Sequence, residues 1–135
     1  MEDYSISRNS YQKLYQDFLH PNPNINDKAV SKLKYEFPSQ FMQMLLNNLN
    51  NEDILLRRKS ILALGEFGEQ SFKGIVGLYL NTNNQIIKVS CFKSIIKGIV
   101  NYDLKNVSEE VMSIVKLAIK EDCPQITLSV ISLLK

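Results

Sequence analysis

The side chains of this sequence best suited to chemistry are its cations. Lys28, Lys32, Arg57, Arg58, Lys88, Lys93 and Lys97 fall in three segments that share a register. Lys28 aligns with Lys59, and Arg57 with Lys88, at one constant shift. Lys93 and Lys97 stand one helical turn apart. A guanidinium presents a planar fork of N–H donors that matches a carboxylate, and an ammonium adds a mobile point charge. Such a stripe, with Arg57, Arg58, Lys88 and Lys93 as the candidate ligand-binding residues, would attract carboxylates or an acidic protein. Two plainer readings stay open. Arg57 can tie adjacent turns of a helical array together by hydrogen bonds, and the whole stripe can be a solvated face, with Glu66 and Glu69 offsetting part of its charge.

Nucleophilic and metal chemistry find less support. His20 is the single histidine and stands beside Pro21, so no second imidazole is available for a zinc set, and Cys91 and Cys123 lack a Cys-x-x-Cys spacing. No metal site is expected. Cys91 aligns with Ala29 and Ser60, as a small core residue would. Cys123 lies in a turn at a helix start, where the dipole favours a thiolate, and is the better candidate for reactivity. No GxSxG, P-loop or GxGxxG is present, so no catalytic residue is assigned.

The elements that must position the cations repeat. Ser60-Ile61-Leu62-Ala63-Leu64 recurs as Cys91-Phe92-Lys93-Ser94-Ile95, and Ala29-Val30-Ser31-Lys32-Leu33 lies upstream by the same shift. Tyr11, Leu14, Tyr15, Phe18 and Leu19 mark an amphipathic helix after a polar, frayed start. The run His20-Pro21-Asn22-Pro23-Asn24 stops it, and Pro38 separates the next two helices. Outer helices carry Phe41, Met44, Leu45 and Leu49, then Phe72, Ile75, Val76 and Leu80, then Val111, Ile114, Val115 and Ile119. Inner helices carry Leu56, Ile61 and Leu64, then Val89, Phe92 and Ile95, then Leu128, Ile131 and Leu134. The third outer set lies further along the chain than the constant shift would put it, which places an insertion around Asn101 to Ser108. Gly65 and Gly68 fit a helix-ending turn. No strand is expected. A period near 30 residues with helical patterning predicts an all-α fold, an α-α superhelix of about four HEAT-like helix pairs. Residues 1–135 then form one domain whose inner helices line a concave, basic face.

Composition bounds the function. With 44% apolar and 22% charged residues the chain is ordinary globular material, and a net charge of +2 is too small to argue for nucleic acid. No exposed-looking aromatic residues accompany the basic stripe, which argues the same way. There is no basic-then-apolar leader and no apolar run of membrane-spanning length, so a soluble protein with reduced thiols is expected. From Ile126 to Leu134 the last helix is greasy on all sides. It is expected either to self-associate or to be covered by a continuation of the array.

Several stretches resemble a known family: the HPNPN turn at His20–Asn24, the run from Asp53 to Gly68, and Val89 to Ile95. They are similar to the HEAT-repeat proteins of cyanobacteria and plastids, the E/F-type phycobilin lyase and NblB-like phycobilisome group. The resemblance covers about residues 14 to 135. It implies a cytoplasmic protein of a cyanobacterium, or a stromal one of a plastid. Its partner would be a phycobiliprotein subunit, on which an open-chain tetrapyrrole (bilin) is attached, detached or chaperoned. The bilin is a transient ligand rather than a resident cofactor, its propionates suit the inner cations, and the reactive thiol belongs to the biliprotein. Any enzymatic activity would be of the phycobilin lyase type. A non-catalytic protein–protein scaffold is the alternative.

Overall fold

The computed structural model describes residues 2–120 together with Pro124, Thr127, Leu128 and Ile131. The regular elements among them are all helical: α1 Glu2–Phe18, α2 Pro23–Glu36, α3 Pro38–Asn48, α4 Ile54–Phe67, a 3₁₀ turn Gly68–Ser71, α5 Phe72–Leu80, α6 Gln85–Tyr102 and α7 Glu109–Ile119. The all-α expectation holds. Helix α1 starts earlier than the frayed segment anticipated, because no Gly or Pro interrupts the chain before Phe18. Cys123, Ile126 and Leu134 lie outside the described residues; of the greasy last segment Thr127, Leu128 and Ile131 are described, all helical and exposed.

The sequence repeat is built from one recurring turn. Before α2, the Asn22 N–H donates to Nδ1 of His20 at 3.0 Å, and the Asn22 side chain accepts from the Asn24 N–H at 2.9 Å. Before α4, Asp53 N–H donates to Oδ1 of Asn51, and the Asp53 carboxylate accepts from the N–H groups of Leu55 and Leu56. Before α6, Asn84 N–H donates to Oγ1 of Thr82, and Asn84 Oδ1 accepts from Ile86 and Ile87. Each turn thus places one acceptor to fold the chain and a second, two residues later, to cap the helix. His20 is a structural acceptor in the first copy.

The chain divides into two compact units, Met1–Met44 and Leu45–Lys135. In the first, α1 and α2 pack together around an aromatic cluster. Tyr11 meets Phe37 edge-on at 5.4 Å, and Phe18 meets Phe41 at 5.4 Å, around the buried Ala29 and Leu33. Burial and the neighbouring Tyr15 push the Tyr11 hydroxyl above the usual phenol range.

In the second unit α4 and α6 lie side by side, and α5 packs against both α6 and α7. The core between these layers holds Leu64, Phe67, Phe72, Ile75, Tyr79, Cys91, Phe92, Ile95, Ile114 and Val115. Tyr79 lies edge-on to Phe92 at 5.3 Å. Leu80 and Ile119, assigned to the core by register, are exposed: each is the last residue of its helix, where the packed partner ends. The insertion falls where the spacing puts it. Helix α6 runs on to Tyr102, Asp103 adopts the left-handed conformation that Asp tolerates, and Ser108 caps α7 after a loop where the earlier repeat has only the 3₁₀ turn.

Gly68 ends α4 with φ +60°, and the Tyr102 ring fills the space a β-carbon would take there. Gly65 lies in the last turn of α4, where its carbonyl accepts from the Gly68 N–H and a β-carbon would stand 2.6 Å from Cβ of Lys97. We expect Gly65→Ala to push α4 from α6 and cost about 1–3 kcal/mol. Gly77, interior to α5 with nothing within 4 Å of its missing β-carbon, should gain about 0.5–1 kcal/mol as Ala. Urea unfolding of both variants checks the pair.

Candidate functional site

A groove of ≈ 460 Å³ opens between the N-terminal halves of α4 and α6. Ile54, Arg57, Arg58 and Ile61 line it from α4, and Ile86, Val89, Ser90 and Lys93 from α6, with Leu128 beside them. The two helices run parallel, since their first halves share the groove and Gly65 meets Lys97 further along. Both N-termini, with their partial positive charge, therefore sit at one end. Neither helix has an acidic residue in its first turn. The Asp53 carboxylate is engaged in capping α4. Ile61 and Ser90 are buried, Arg57 and Val89 half-buried, and Ile54, Ile86, Arg58 and Lys93 line the groove with greater exposure at its mouth. An apolar wall, a hydroxyl and cations around one opening suit an amphiphilic anion: its flat apolar part against Ile54, Ile86 and Val89, and its carboxylate toward Arg58 and Lys93.

The candidate cations therefore separate. Arg57, Arg58 and Lys93 share the groove. Arg57 also turns back on its own repeat, where its guanidinium donates to the carbonyls of Asn51 at 2.8 Å and Glu52 at 3.3 Å. Asn26, one repeat earlier, makes the same contact to the carbonyl of His20 at 3.0 Å. Lys88, one repeat later, holds its ammonium 5.2 Å from the centre of the Tyr79 ring and is not part of the groove. Five residues of helix place Lys88 about 140° around α6 from Lys93. Lys28 and Lys32 lie on α2, in the first unit.

Sequence reasoning misses the groove's apolar wall. It passes over Ile54 and Ile86 and places Val89 wholly in the core. The signal is present all the same: both helices carry a pair of bulky apolar residues in the first turn, Ile54-Leu55 right after the Asp53 cap and Ile86-Ile87 one residue further from the Asn84 cap. One of each pair has to face outward.

Cys91 is fully buried, and burial alone pushes its thiol up to about 12. It cannot act as a nucleophile near neutral pH. Among the described residues no group of three or more His, Cys, Asp or Glu could hold a metal ion. No described helix is long and apolar enough to cross a membrane.

These features bear comparison with known proteins. The chain is 24% identical over 120 residues to "Uncharacterized phycocyanin operon protein Z" of Pseudanabaena tenuis, covering 89% of this chain and 59% of that protein. It is 28% identical over 103 residues to "Bilin biosynthesis protein CpeZ" of a Synechococcus species, covering 76% of this chain and 55% of that protein. The chain thus spans little more than half the length of these curated relatives. No family model matches it, and no solved structure does.

Two outcomes follow from the geometry. Arg57→Ala should cost about 1 kcal/mol through the lost carbonyl contacts, whereas Arg58→Ala should leave stability within about 0.5 kcal/mol; thermal unfolding separates them. The Cys91 thiol should resist iodoacetamide at pH 8 until denaturant is added. An unfolded thiol ionises from about 9 while the native one holds its proton to about 12. The unfolded state therefore loses its proton first, and stability falls as pH climbs between those values. Mass spectrometry of the alkylated protein and a pH series of unfolding curves check both.

Proposed function

We propose that this protein handles open-chain tetrapyrroles destined for, or carried by, phycobiliproteins, and that the groove between α4 and α6 receives the pigment's propionate side. The observation that carries this reading is the groove itself, which sets Arg58 and Lys93 beside an apolar wall. The relatives' names, one a phycocyanin operon protein and one a bilin biosynthesis protein, support the pigment class. On this reading the helix pairs stack as a HEAT-like solenoid, and the protein works where phycobiliproteins are assembled, in a cyanobacterial cytoplasm or a plastid stroma.

The mechanism is positional. A bilin carries two propionate carboxylates, and charge-assisted hydrogen bonds from Arg58 and Lys93 hold one of them. Arg57 contributes by fixing the turn before α4, with whatever donor capacity its carbonyl contacts leave over. The apolar rings lie along Ile54, Ile86 and Val89. Cys91 is sealed in the core and supplies no thiol; on this reading the thiol that forms or releases the pigment bond belongs to the biliprotein. The protein then lowers the barrier by presenting pigment to thiol in one geometry. Attachment, detachment and chaperoning all use this same geometry.

Mixing the purified protein with a free bilin, and separately with apo- and holo-phycobiliprotein, tests the reading by visible spectrum and co-elution. A shifted absorbance band is expected. Its midpoint should weaken about ten-fold or more in Arg58→Ala/Lys93→Ala, the loss of two charge-assisted contacts, while the helical circular dichroism stays unchanged. No spectral change and no co-elution with either biliprotein form would refute the proposal. Co-elution with the biliprotein that survives the double substitution, without any spectral change, would favour the scaffold alternative.

A further inference from the structure

The exposed face of α4 and α6 extends beyond the groove, and its chemistry is one-sided. The two helices carry Arg57, Arg58, Lys59, Lys88, Lys93 and Lys97 against a single carboxylate, Glu66. The whole chain is nearly balanced, with 16 cations and 14 acids. Positive charge is therefore concentrated on this helix pair and offset elsewhere.

Large apolar side chains interleave these charges without being covered. Leu55 is 68% exposed, Leu62 51%, Ile86 54% and Val100 68%. On α4 the order along the exposed side is Leu55, Arg58, Leu62, with the one carboxylate, Glu66, at the end of the ridge. On α6 it is Ile86, Lys93, Lys97, Val100, with Val89 and Ile96 half-buried between them. These positions follow helical spacings of three and four, so each set is one continuous ridge. Ridges that alternate aliphatic and cationic residues match a surface that alternates aliphatic and acidic ones.

We propose that this face of α4 and α6 docks an amphipathic helix of a partner protein, one whose apolar ridge is flanked by Asp and Glu. Leu55, Leu62, Ile86 and Val100 meet the apolar ridge, and Arg58, Lys93 and Lys97 meet the carboxylates. A second copy of this chain is a poor occupant, because a two-fold contact would set the same cations against themselves. A membrane surface is a poor one too: the ridges flank a groove that a flat bilayer does not fill, whereas a helix side does. The docking face shares Ile86, Arg58 and Lys93 with the groove, so a docked helix and a pigment would compete there; Leu62 and Val100 do not line the groove and separate the two bindings.

The test uses a synthetic helical peptide about 18 residues long, five turns, with leucines along one stripe and glutamates on both sides. A second peptide carries lysines in place of the glutamates. Fluorescence anisotropy with the full chain should show the acidic peptide binding in the range of about 1–100 μM and the basic one not binding. Leu62→Ser/Val100→Ser should weaken the acidic peptide about ten-fold or more while leaving a bilin spectrum, if one is observed, unchanged. Circular dichroism confirms that this variant is folded. Equal binding of both peptides, no binding of the acidic one, or affinity unmoved by the double substitution would overturn the proposal. So would sedimentation with phosphatidylglycerol vesicles in the absence of acidic-peptide binding, which would assign the face to a lipid surface.

Discussion

Everything in the second unit depends on how the chain is turned before each inner helix. Two side-chain acceptors, spaced two residues apart, satisfy backbone N–H groups that would otherwise be orphaned at a helix start. Because Asn51 and Asp53 recur as Thr82 and Asn84 one repeat later, α4 and α6 begin in the same manner and run parallel. Parallel neighbours bring two positive helix ends together, and the residues of the first turns become the walls of a shared opening. Partial positive charge at this end of the groove is thus a property of the repeat before any lysine or arginine is added.

The cations then divide by labour. Arg57 and Lys88 occupy the same register and both serve their own surroundings, one on the carbonyls of its turn and the other on an aromatic ring. Arg58 and Lys93 line the space the helices leave between them. Arg57 lines the opening as well, but its guanidinium is also committed to the carbonyls of its own turn, a contact Arg58 does not share.

Much of this is legible in the residues. Helices, turns and the position of the insertion follow from apolar spacing and polar punctuation, because those signals are local and the repeat states them more than once. Cys91 is readable as a core residue from its alignment with Ala29 and Ser60. Other features depend on contacts between segments far apart in the chain. Gly65 reads only as part of a helix end in sequence, since nothing local reveals the close passage of Lys97. His20 resembles a solvated turn residue until the N–H it accepts is seen. Repeat register groups Lys88 with the groove, and rotation about the helix takes it away.

The Tyr102 hydroxyl donates to the carbonyl of Glu66, joining the last turn of α6 to that of α4. The latch sits just before the irregular segment from Asp103 to Ser108, whose far end is sealed by the Ser108 cap. The segment is thus tied at both edges by contacts that involve none of the groove's lining residues. Evolution can lengthen, shorten or decorate the segment while the cleft at the other end keeps its shape, which makes it the natural place for this architecture to diversify.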